Sequence, residues 1–265
     1  MEPRQRALEV LCIADPAAKA AAARDLLLNG GDTPIDTHRR LEPALPLPGR
    51  PARPALVPAD QVPRRSPFTL EGRAALLHAI AHIEFNAINL ALDAVWRFPD
   101  MPEAFYRDWL RVAGEEALHF SLLRTHLQGL QHDYGDFDAH DGLWRMTEST
   151  QDDIVARMAL VPRTLEARGL DATPPIQAKL AKAGDHRAVE ILDVILRDEV
   201  GHVAIGNRWY GWLCEREGLD PVQHYRQLVV RYAAPRLRPP FNRSARLAAG
   251  FSEAELAYLE DASPP

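Results

Sequence analysis

Two stretches of the chain repeat one local word, an acid followed by Glu-x-x-His: Glu115-Glu116-Ala117-Leu118-His119 and Asp198-Glu199-Val200-Gly201-His202. On an α-helix, positions i and i+3 lie about 60° apart on one face, so the glutamate and histidine of each word can reach a single ion together. Both words interrupt greasy stripes. Phe105, Trp109, Val112, Ala113, Phe120, Leu123 and Leu127 surround Glu116 at helical spacing, and Ala188, Ile191, Leu192, Ile195, Leu196 and Val203 surround Glu199. An ionised carboxylate in such a stripe carries a heavy desolvation cost unless something compensates it. A divalent cation shared with an imidazole does so.

Two further acids fit the same plan. Glu84 is the sole charge on a stripe of Leu77, Ile80, Ala81, Ala87, Ile88, Ala91 and Val95, and Glu166 follows Val155, Met158, Ala159 and Pro162. Glu84 precedes Glu116 by 32 residues and Glu166 precedes Glu199 by 33, which suggests a duplicated plan. One glutamate on each of two helices, with Glu-x-x-His on each of two others, is the ligand arrangement of a di-iron or di-manganese carboxylate centre. The expected metal ligands are therefore Glu84, Glu116, His119, Glu166, Glu199 and His202. In the third segment periodicity alone leaves Glu148, Asp152 and Asp153 open as alternatives to Glu166.

Four long helical segments are needed to carry these groups. The first runs from about Thr69 to Phe98 and stops before Pro99. The second starts near Pro102 and continues to about Gln131. The third runs from Ser149 to Arg168 and closes at Gly169, after which Pro174-Pro175 opens a short connecting helix ending near Gly184. The fourth takes Asp185 as N-cap and ends near Glu217-Gly218. Strand signals are nearly absent, so the chain reads as all-α. The expected organisation is an N-terminal helical hairpin over 1–31, a proline-rich arm over 43–67, a four-helix bundle over 68–218 and a helical extension over 219–265. The arm holds eight prolines and cannot be helix or central strand. It is either a passive spacer or a strap packed across the bundle.

Composition narrows the functional classes. The 265 residues carry a formal charge of −6, which argues against strong sequence-independent attraction to nucleic acid or an anionic membrane. The two cysteines, Cys12 and Cys214, have no metal-ligand spacing and offer no disulfide framework. The first 28 residues lack a continuous apolar core of the signal-peptide kind, and no unbroken apolar run reaches the ~20 residues of a bilayer span. The expected location is cytoplasmic, with no membrane partner. Nucleophile elbows, phosphate-cradling glycine loops and zinc-cysteine motifs do not occur.

Several residues could support the centre. Glu115 and Asp198 could each hydrogen-bond a ligand histidine and fix its tautomer, or form ordinary salt bridges. Tyr210 could line a channel or simply pack. His78 and His82 lie about 120° and 160° from Glu84 and suit hydrogen bonding better than ligation. The loop Tyr134–Trp144 could be a lid or a plain connection. Arginines 226, 231, 236, 238, 243 and 246 could bind an anionic substrate, RNA included, or be a salt-bridged tail.

The pattern resembles the ferritin-like superfamily, which includes rubrerythrins and di-iron hydroxylases. More narrowly, His-Ile-Glu-Phe-Asn-Ala-Ile-Asn (82–89), Tyr-Gly-Asp-Phe (134–137), Arg-Met-Ala-Leu-Val-Pro-Arg (157–163), Leu-Glu-Ala-Arg-Gly-Leu-Asp (165–171) and Arg-Asp-Glu-Val-Gly-His-Val (197–203) are similar to a bacterial ferritin-like family of unknown function. The resemblance spans roughly residues 65–250. It implies a ferritin-like four-helix bundle with a di-metal site at the six positions, and it favours Glu166 in the third helix. The expected function is a di-metal oxidoreductase that activates dioxygen or peroxide, a hydroxylase being one outcome, with a homodimer as a conceivable assembly. The rivals are a non-catalytic helical binding protein with a buried polar network, and a metal-dependent hydrolytic site.

Overall fold

Helix starts in this chain are written in acids and hydroxyls followed by proline or an apolar run, and the computed structural model follows them closely. It describes residues 2–31 and 33–261. Helix α1 (Pro3–Leu11) opens with the Glu2 carboxylate accepting the amides of Arg4 and Gln5, and α2 (Pro16–Asn29) with Asp15 accepting that of Ala18. In both, proline takes the first helical position, where its missing N–H is not needed. Thr69 caps α3 (Leu70–Arg97) through the Gly72 amide, and α4 (Glu103–Gly129) begins directly after Pro102. Then come α5 (Gly142–Ser149), α6 (Ile154–Leu160), a π-helical segment (Val161–Glu166), α7 (Arg168–Lys182), α8 (His186–Glu217), α9 (Pro221–Arg231), α10 (Arg243–Ala248) and α11 (Glu253–Asp261). Among the described residues there is no strand, only one isolated bridge between Leu56 and Ala139.

The chain forms two compact units, one from the stretch up to Trp144 with Leu180–Ile191, the other from Arg145–Lys179 and the stretch from Leu192 onward. In the first, α3 packs along α4 and α1, and α2 packs along α4. By length and hydropathy alone α3 could cross a membrane, yet it is mostly buried within the protein. Leu77, Ala81, Ile88, Leu92 and Val95 are among its enclosed side chains, together with Phe105, Trp109, Phe120 and Leu127 of α4. The C-terminal end of α3 is closed by Arg4, fully buried, whose guanidinium donates to the carbonyls of Val95, Trp96, Asp36 and Arg39. Those first two carbonyls are in the last helical turn, where the chain has no donor of its own.

The proline-rich arm is a strap, not a spacer. The Gly49 amide donates to Leu11, the Val57 amide donates to Ala139 at 2.8 Å, and the Ala139 amide returns a bond to Ala55 at 2.9 Å. Arg50 forms a two-pronged pair with Asp141. Prolines leave few amides in the arm, and the side chains around it supply the missing donors. Lys19, fully enclosed, donates to the Gly49 carbonyl at 2.8 Å and to Asn89 Oδ1 at 2.6 Å.

In the second unit the expected third helix does not run straight to Gly169. Pro162 has no N–H and its ring collides with the carbonyl four residues back, so an α-helix cannot pass it undistorted. The chain widens instead into the π segment, with the Ala167 amide bonded to the Pro162 carbonyl and the Thr164 hydroxyl to that of Ala159. The expected break at Gly169 and fresh start at Pro174-Pro175 are also replaced, because α7 continues through all three. One reason is visible. Pro174 leaves the Leu170 carbonyl without its helical donor, and the Asn242 side chain donates to it instead. The Asn242 amide and the buried Arg246 guanidinium both bind Asp171, tying α10 to α7.

Candidate metal centre

Glu84 on α3 and the Glu116/His119 pair on α4 meet inside the first unit. The His119 Nδ1 lies 3.1 Å from Glu84 Oε2 and 3.2 Å from Glu116 Oε2, and all three side chains are buried. The i, i+3 spacing puts Glu116 and His119 on one face, and the dense packing of α3 on α4 brings Glu84 to them. Burial pushes the Glu84 carboxyl well above its ordinary range, the facing Glu116 carboxylate adds to that, and His119 partly offsets it. Two buried carboxyl groups on one imidazole nitrogen cannot both stay ionised without compensation, which either a proton held on Glu84 or a shared cation supplies.

On α8, Glu199 and His202 are buried side by side, with Glu199 Oε1 3.6 Å from His202 Nδ1, too far for a hydrogen bond between those atoms. One ligand atom each from Glu84, Glu116 and His119 lies within 4.8 Å of the others, and this buried group could hold a metal ion. Two carboxylates with one imidazole suit a divalent cation of the hard to borderline kind. In the second unit Glu166 is buried at the last position of the π segment, and His202 is buried on α8 beside Glu199.

The supporting residues fall out variously. Glu115 pairs with Arg111, and Asp198 with Arg197. The Tyr210 hydroxyl donates to the Pro221 carbonyl, and its ring faces the Arg163 guanidinium, which also stacks on Tyr225 and Phe251 and pairs with Glu255. Tyr210 is thus a working part of that cluster. His82 Nδ1 lies 2.9 Å from the Tyr134 hydroxyl and its Nε2 3.2 Å from the His140 carbonyl, while His78 Nε2 accepts the Gly135 amide. Both rings are hydrogen-bonded core histidines, and burial lowers each to a pKa of about 4. The loop after α4 packs Tyr134 against Phe85 and Phe120. Much of the arginine-rich tail is partnered: Arg231 with Asp153, Arg243 with Glu253 and Glu260, Arg246 with Asp171, and Arg226 over the Tyr258 ring.

Lys19 escapes a motif search. Its amine is pushed down to about 7, first by burial and then by the nearby Arg50 charge. The available signal was its isolation as the sole charge in the run Ala17–Ala23.

A family model described as "Protein of unknown function (DUF455)" matches residues 12–257. A protein of Haemophilus influenzae, described as "Uncharacterized protein", is 54% identical over 216 residues, covering 79% of this chain and 75% of its own. No solved structure matches the chain.

Proposed function

Since this chain belongs to the DUF455 family, whose description assigns no activity, we propose that it is a di-metal carboxylate oxidoreductase built on a ferritin-like four-helix bundle over residues 68–218. In this reading residues 1–31, 43–67 and 219–265 are accessory, and the chain works in the cytoplasm. Glu84, Glu116 and His119 would hold one iron or manganese ion, and Glu166, Glu199 and His202 the other. When bound, the metal pair supplies the electrons that reduce dioxygen or peroxide during oxidation of a substrate. The chain's own contribution is to hold four acids and two imidazoles in register and to exclude water around them. His119 and His202 orient the two halves, and the greasy stripes beside Glu116 and Glu199 keep the local dielectric low.

The observation that carries this reading is the convergence of buried ligand atoms from Glu84, Glu116 and His119. A polar network without metal is the second reading, favoured by the hydrogen-bond distances from His119 to both acids. Metal analysis of the purified protein separates them. We expect close to two equivalents of iron or manganese, lost in a Glu116→Ala/His119→Ala variant that still folds. Protein isolated without metal, and unable to take up ferrous or manganous ion on reconstitution, would leave only the polar network. One equivalent of zinc would instead point to a hydrolytic centre.

A further inference from the structure

The tail arginines divide into two sets. Arg226, Arg231, Arg243 and Arg246 each have an acid or an aromatic face as partner. Arg236 and Arg238, with Arg168 on α7, are exposed, and none of the three has a hydrogen bond, ion pair or ring contact among the described residues. All three line one cleft of about 520 Å³. The cleft's one acid, Asp171, does not neutralise them, since it is already bound to Arg246 and to the Asn242 amide. Pro235, Arg236 and Leu237 also line an adjoining groove of about 350 Å³, whose other walls include Val229, Val230 and Tyr258. Val230 is 81% exposed there, more than any other large hydrophobic side chain among the described residues.

We propose that this cleft binds a small amphiphilic anion, an organic phosphate whose phosphate lies among Arg168, Arg236 and Arg238 and whose apolar limb runs along the groove. Guanidinium forks match phosphate oxygens, and each charge-assisted bond is stronger than a neutral one. Arg236 and Arg238 stand two residues apart on a segment outside the helices, Arg168 comes from α7, and Leu237 belongs to both cavities, so the cationic and apolar walls are continuous. The proposal is independent of the metal reading, because no residue of the candidate centre lines either cavity.

The test is calorimetric titration of the full chain with n-octyl phosphate, inorganic phosphate and n-octanol at fixed ionic strength. We expect saturable one-to-one binding of octyl phosphate, at least about ten-fold tighter than either inorganic phosphate or octanol. An Arg236→Ala/Arg238→Ala variant should bind it about ten-fold or more weakly, the loss that one good charge-assisted contact implies. The exposed Arg187→Ala variant should be unchanged. Circular dichroism checks that the double variant is folded, and Arg236→Lys/Arg238→Lys should retain part of the affinity because it keeps the charge. Absence of saturable binding, equal affinity for wild type and double variant, or equal affinity for octyl and inorganic phosphate would overturn the proposal. Tighter binding of a single-stranded oligonucleotide or of anionic vesicles at the same arginines would also overturn it, in favour of an extended polyanionic partner.

Discussion

Lys19 shows how far a side chain can depart from its ordinary chemistry without any motif to mark it. As a neutral amine it still has two N–H donors, one for the Gly49 carbonyl and one for Asn89 Oδ1. Its folded pKa of about 7 lies below the 10.5 of a free lysine. Between those two values the unfolded chain binds a proton that the native chain does not. Stability therefore rises with pH across that window, and the penalty is fully present below its lower edge. Guanidinium denaturation at pH 7, 8 and 9.5 should show wild type gaining stability relative to Lys19→Met, by an amount on the order of a few kcal/mol. Parallel profiles would mean that Lys19 is charged in the native state. At this scale the sequence was informative where neighbours in space are neighbours along one helix. Glu116 and His119 were legible because three residues apart on a helix means side by side. Lys19 and Asn89, 70 positions apart, were not.

At the scale of elements, the π segment sets one tight contact within the second unit. Pro162 forces the widened turn, and Gly206 of α8 accepts the proline ring. A Cβ added at Gly206 would lie 2.6 Å from Pro162 Cβ and 2.8 Å from its Cγ. The ring is stiff, so backbone must move. Gly206→Ala gains at most about 1 kcal/mol of helix propensity but suffers overpacking worth about 1–3 kcal/mol. The expected net result is a lower midpoint in urea denaturation; a raised midpoint would mean that the π segment yields freely. The sequence marked Pro162 as an interruption but not its outcome, since proline alone does not say whether a helix ends, kinks or widens. Nor could it show α7 running on through Pro174 and Pro175, because one donor that allows this, Asn242, comes from the far end of the chain. A π turn amounts to one extra residue in an α-helix.

At the scale of the whole molecule, helical periodicity announced the all-α class, and capping residues fixed most boundaries to within a residue or two. Proline content described the arm equally well as spacer or strap, and only long-range pairing separates the two. Hydrogen exchange should find the amides of Gly49, Val57 and Ala139 protected well above those of Arg64 and Arg65; uniform fast exchange over 43–67 would mean that the strap is not docked in solution.

That strap also sets a timetable for the nascent chain. Ala139 is made 82 residues after Val57, with which it bonds. At translation speeds of about 5–20 residues per second, the arm must wait about 4–16 s before its anchoring partner has been synthesised. During that interval the arm can be held at Gly49 by Leu11 and Lys19, which are already made, while its Ala55–Val57 end has no partner. A ribosome-bound chain stopped short of residue 139 is thus a species in which the strap is tethered at one end alone.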